Sequence, residues 1–157
     1  MRFLRSRTPT LDPPVGEVPS DSLAIFGVEG VLDAWVISSP LRISDRLNRG
    51  DPLSVRFSPD DAWQPLATEN VVALAVQPQP SPSPNRMARR RHVLEFAAEP
   101  YRIRGTVHMP PGADPLRYLR AAPQGWAALT DAAIVEADGS GYEVEVLLVH
   151  MTHVSRL

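Results

Sequence analysis

The chain has 157 residues, 43% of them hydrophobic and 22% charged, with a net charge of −2. That is enough for one ordinary domain or two very small ones, and no overall field draws it to nucleic acid or to an acidic membrane. There is no cysteine and all 16 basic residues are arginine, which excludes disulfides, thiol nucleophiles, cysteine-bound metal, Schiff-base lysines and P-loop lysines.

Residues 1–21 read as a loosely ordered arm, because their basic residues are followed by no apolar run of the kind a secretory signal needs. No apolar run approaches the ~18 residues of a membrane helix. The expected location is the cytoplasm. Arginine in every basic position fits a GC-rich bacterial genome.

From Ser22 the chain turns apolar. "SLAIFGVEGVLDAWVISSP" (Ser22–Pro40) reads as two strands closed by a proline, and "RISDRLN" as a short helix. "LSVRFSPDDA" and "ENVVAL" supply further strand material up to Val76. "QPQPSPSPNRMARRR" (Gln77–Arg91) then alternates proline with polar residues, which prevents helix and predicts an exposed, extended linker.

The second stretch, His92–Leu157, repeats the order. His92–Ala98 and Arg102–Met109 alternate in the manner of strands, with Glu99-Pro100 between them. Pro110-Pro111-Gly112 stops the strand. Asp114 is placed to cap a helix that begins at Pro115, with Leu116 and Leu119 expected on the core. Trp126–Val135 is the next strand, Glu136–Gly141 a hairpin turn containing Asp-Gly, and Tyr142–His150 a strand with Val144, Val146 and Leu148 on one face. "HMTHVSRL" breaks and resumes as a short terminal strand.

Laid over each other at one constant spacing, Leu23 meets Leu94, Ile25 meets Phe96, Leu32 meets Ile103, Val36 meets Val107 and Pro40 meets Pro111. The shared order of strand, strand, proline, helix, strand predicts an internal duplication, 22–76 and 92–157, in which the first copy is shorter by about a hairpin. The fold class expected is mainly β: two tandem small barrels, each with one short inserted helix.

In the second copy "YRIRGTV", "LTDAAIVEADG" and "VEVLLVHMTHVSRL" resemble the second, third and closing strands of the Sm-like barrel, a small SH3-type fold of RNA-binding proteins, with Gly105 where the second strand bends. The resemblance implies that fold for His92–Leu157 and, in abridged form, for Ser22–Val76. In place of the family's RNA-contacting Asp…Asn pair, this chain has Pro-Pro-Gly and a helix. In place of its Arg-Gly before the last strand stands Met151-Thr152. The Leu/Arg-rich helices are also similar to those of small uncharacterised bacterial proteins.

Four groups are candidates for chemistry. Arg86, Arg89, Arg90 and Arg91 form a basic cluster whose guanidinium forks suit phosphates and guanine edges. Arg86 and Arg90, spaced i, i+4 before a strand, also resemble the arginine motif of PilZ domains, which bind cyclic di-GMP; the bland reading is a solvated linker end. His150 and His153, with His108 from a neighbouring strand, are metal-ligand candidates if a tight turn brings them together; otherwise they sit at a corner. Asp60, Asp61 and Asp131 lie at strand ends, and Asp60-Asp61 reads as a turn. Trp35, Trp63 and Trp126 could stack bases but read as packing residues.

Nothing resembles a nucleophile elbow or a Gly-rich phosphate loop. The expectation is therefore a non-enzymatic assembly or interaction module with no cofactor. It would self-associate, or bind another protein, through open strand edges. The alternative is an RNA- or nucleotide-binding protein that uses Arg86–Arg91.

Overall fold

The computed structural model describes residues 4–6, 18–78, 90–120 and 125–156, and of residues 4–6 and 156 it describes the backbone alone. The chain is mainly β. The first half runs β1 (Leu4–Ser6), β2 (Ser20–Gly27), β3 (Gly30–Ile37), α1 (Ile43–Asn48), β4 (Ser54–Arg56), β5 (Gln64–Pro65) and β6 (Val71–Val76). The second runs β7 (Arg90–Ala98), β8 (Tyr101–Met109), α2 (Pro115–Arg120), β9 (Trp126–Val135), β10 (Gly141–His150), a 3-10 turn over Met151–His153 and β11 (Val154–Arg156). Arg90 and Arg91 thus belong to a strand and face solvent.

Among the described residues these strands form one sheet, in the order β11-β7-β8-β9-β10-β6-β2-β3-β4-β5, every neighbouring pair antiparallel. β1 lies off this path and pairs parallel with the start of β10.

The centre of the sheet follows from composition. "VVALAV" in β6 carries no polar residue, and such a run suits a strand buried on both faces. β6 is buried throughout and β2 nearly so. Successive side chains on a strand point to opposite faces. Leu23 and Ile25 of β2 therefore enter one cluster, with Val36, Ile43, Leu47 and Leu74, while Ala24 and Phe26 enter the other, with Ile103, Leu129, Ile134 and Leu147. The β2–β6 pair is a wall with a hydrophobic core on each side. Both cores draw on both halves, for Trp126 and Leu148 join the first cluster, and Val72, Ala73 and Ala75 join the second.

Two short helices close the ends. In α1, Ile43 and Leu47 lie one turn apart and are both buried. The guanidinium of Arg46 donates to the carbonyl of Ile37 at 3.1 Å, and Gly50, at φ 77°, takes the left-handed conformation that ends the helix. In α2, Asp114 accepts from the Leu116 N–H at 3.1 Å, as a cap does. Leu119 is buried, but Leu116 is 40% exposed, contrary to the sequence expectation. A helix of six residues lays only a narrow stripe against the sheet, and Leu119 fills it.

The ladder of β8 with β9 is broken by a bulge. The register shifts between Arg104 and Thr106, and Asp131 adopts φ 47°, a left-handed bulge. Gly105 sits against that bulge. A Cβ there would lie 3.0 Å from the Leu129 side chain and 3.2 Å from Ala132, so the close approach requires glycine.

Candidate functional site at the joint of the halves

A group of aromatic and imidazole side chains lies where β10 meets β6. The two strands pair from Val146↔Val76 to Val149↔Ala73, which sets His150 beside the start of β6. Trp126 opens β9 directly opposite His150. Their rings stack with centroids 4.4 Å apart and planes 4° from parallel. The 3-10 turn that follows brings His153 back, so its ring meets His150 edge-on at 5.3 Å.

Both histidines are tied to the first half. His150 donates through Nδ1 to the Val71 carbonyl at 3.2 Å, and His153 donates through Nε2 to the Glu69 carbonyl at 2.7 Å. Burial pushes the His150 imidazole below its ordinary 6.5, opposed by the backbone carbonyls and assisted by neighbouring His153. A half-open hollow of about 390 Å3 adjoins the stack, with Leu47, Asp51, Leu66, Thr68, Trp126 and His150 in its wall.

A second tie crosses the halves on the other core. The Tyr101 hydroxyl donates to the Gly27 carbonyl at 2.6 Å, and Phe26 meets Tyr101 and Tyr142 edge-on at 5.8 and 5.7 Å. Burial, with Glu136 nearby, pushes the Tyr101 phenol up to about 12. The phenol therefore stays protonated and remains a donor at neutral pH.

The other sequence candidates are dispersed. His108 does not join the pair; its Nε2 shares a 2.7 Å hydrogen bond with the Thr130 hydroxyl. Among the described residues no three His, Asp or Glu side chains are placed to hold a metal ion. Arg86 and Arg89 lie outside the described residues, while Arg90 and Arg91 pair with Met109 and His108 across the β7–β8 ladder. The Asp60 and Asp61 N–H groups bond Ser58, as in a turn. Trp35 is buried. Arg56 sits 4.6 Å from the Trp63 ring centre and 5.8 Å from that of Trp35. No helix among the described residues is long and apolar enough to cross a membrane.

Sequence reasoning noticed the histidine pair but not what it touches. Trp126 lies 24 residues upstream and the acceptors are backbone carbonyls, which leave no mark in a sequence. The one available signal was Trp126 at the mouth of a strand that pairs with the strand ending in His150.

Comparison with protein-family models, with curated proteins and with solved structures gives no match to this chain.

Proposed function

We propose that the chain is a non-enzymatic assembly module, a duplicated Sm/SH3-like barrel that associates with further copies of itself through its strand edges. The observation that carries this reading is the order of strands. The second half runs β11-β7-β8-β9-β10, its last strand beside its first. The first half, from β2 on, runs β6-β2-β3-β4-β5, again with the last strand beside the first. The halves meet where the last strand of one, β6, pairs with the fourth strand of the other, β10. The edges left at the ends of the sheet path are again a fourth strand, β5, and a last strand, β11.

One copy's β11 set against another's β5 would repeat the internal joint between molecules. Such a contact is head-to-tail, so it generates a ring if the rotation closes and a filament if it does not. The outer joint would be weaker than the inner one. β5 has two residues, and Pro65 lacks a backbone donor.

Light scattering of the purified protein tests the proposal, with absorbance at 260 and 280 nm read on the same peak. The expected result is a defined oligomer free of nucleic acid that falls to the mass of one chain when Ser155→Pro disrupts β11. It should keep its mass with Arg89, Arg90 and Arg91 changed to Ala. A monomer at high concentration sinks the assembly reading. An excess of 260 nm absorbance that falls with salt, and is lost in the arginine variant, favours the nucleic-acid binder instead.

A further inference from the structure

β6 stops before its neighbours do. Its last residue, Val76, lies opposite Val146 of β10 and Leu23 of β2. Beyond that row β10 extends back to Gly141 and β2 to Ser20. The edge of β10 from Gly141 to Glu145 is therefore not served by β6. β1 occupies its first three residues, with Leu4 opposite Gly141, Arg5 opposite Tyr142 and Ser6 opposite Glu143.

Three features bear on how firmly this pairing holds. It is parallel, whereas the ladders of the main sheet path are antiparallel. It is three residues long, and so short a parallel ladder holds weakly. Its connection to β2 is residues 7–19, which at full extension spans ~43 Å, so the covalent chain does not confine β1 to one particular slot.

Charge says what the slot prefers. The first ten residues carry Arg2, Arg5 and Arg7 and no acidic residue. The rim offers exposed Glu143 and Glu145 on β10, with Glu136 and Asp138 at the preceding turn. The cation in the row of Glu143, Arg104, is two strands away, across Ala133.

We propose that the Gly141–Glu145 edge of β10 is a strand-addition site for a basic extended segment, and that in the assembled protein a second copy supplies that segment by exchange of its N-terminal strand. Main-chain bonds provide the affinity in strand addition and side-chain character the choice of partner. The bonds are the same whether the strand comes from the same chain or a neighbour, so local concentration decides. Head-to-tail association raises the neighbour's share. The identity of the donor rests on the self-association reading; the site itself does not.

The absence of cysteine makes the test clean. Ser6→Cys and Glu143→Cys are made singly in the full chain, mixed, and treated with a mild oxidant or a short bismaleimide. Directly paired residues fall within bridging range. The expected product is a mixed dimer, at least tenfold more abundant than either variant gives alone. It should be suppressed tenfold by an excess of a synthetic peptide of residues 1–10. Adding Glu145→Lys to the Glu143→Cys partner should cut it severalfold.

The double variant, Ser6→Cys with Glu143→Cys, separates the ways of failing. Closure only within one chain, in a protein that light scattering shows to be oligomeric, overturns strand exchange and leaves the assembly reading standing. Closure only within one chain in a monomeric protein overturns both. No closure in either experiment overturns the site.

Discussion

The two halves run their strands in one order but at different lengths. In the second half the third and fourth strands, β9 and β10, have ten residues each; in the first their counterparts, β4 and β5, have three and two. The long hairpin of the second half reaches across the joint and places Trp126, Leu148, His150 and His153 against the first. The short strands of the first half contribute Val55 to that same cluster. The half with the shorter strands thus shares cover with its neighbour, and the shared wall, β2 and β6, is the most deeply buried part of the described residues.

The strongest way to break this comparison is at the wall. Phe26 is fully buried, lies on β2 of the first half and packs on Tyr101 and Tyr142 of the second. Phe26→Ala should cost about 3–5 kcal/mol. Denaturant unfolding followed by tryptophan fluorescence and by circular dichroism should show one transition shifted in both signals. Two separate transitions would mean that the halves are independent.

A smaller effect sharpens the difference between β3 and β8. Ala34 stands in β3 where Gly105 stands in β8, and it is fully buried. Gly105→Val drives a side chain into Leu129 and Ala132, which should cost about 1–3 kcal/mol. A Gly105→Val protein with an unchanged urea midpoint would show that the bend at Asp131 does not depend on that close approach.

Tyr101→Phe removes the hydroxyl tie to Gly27 and should cost about 1 kcal/mol. Burial of the same phenol also has a pH signature. The phenol is held up to about 12 in the fold against an ordinary 10.0, so its contribution is complete below 10 and is lost as pH rises through that window. Thermal melts of the two proteins should converge there.

The smallest effect belongs to His150. Its folded value lies below 6.5, so between the two the unfolded chain binds more protons. Its contribution is complete above 6.5 and declines as pH falls below it. His150→Gln should flatten that part of the stability profile; an equally steep profile in the variant would assign the slope elsewhere.

Much of the second half was legible, for physical reasons. Trp126–Val135 and Tyr142–His150 are long runs of strand formers on either side of an Asp-Gly turn, and Pro110-Pro111-Gly112 ends a strand. Val144, Val146 and Leu148 do not share the face expected of them, because Val144 joins one core while Leu148 joins the other with Val146 against it. The ladder of β4 with β5 was not legible, because two or three residues carry no period. Neither was the pairing of β6 with β10, since nothing local in either strand names a partner so far along the chain. Leu116 misled because helical spacing was read as burial in a helix too short to bury two positions. At the site, the sequence offered His150 and His153 as a possible pair and the 3-10 turn does bring them together. Their use as donors to Glu69 and Val71 depended on the joint, which only the sheet order defines.

The wall also bears on how the protein is made. Val76 completes β6 seventy residues before its partner Val146 exists. At ~5–20 residues per second, a ribosome leaves β6 without that neighbour for about 4–14 seconds. Through that interval Phe26 of β2 and Ala73 and Ala75 of β6 lack Leu147 and Val149 of their core, and β6 has an open edge. Newborn chains should therefore be most prone to cross-pair, and most in need of a chaperone, when synthesis has passed the proline-rich segment and not yet reached β10.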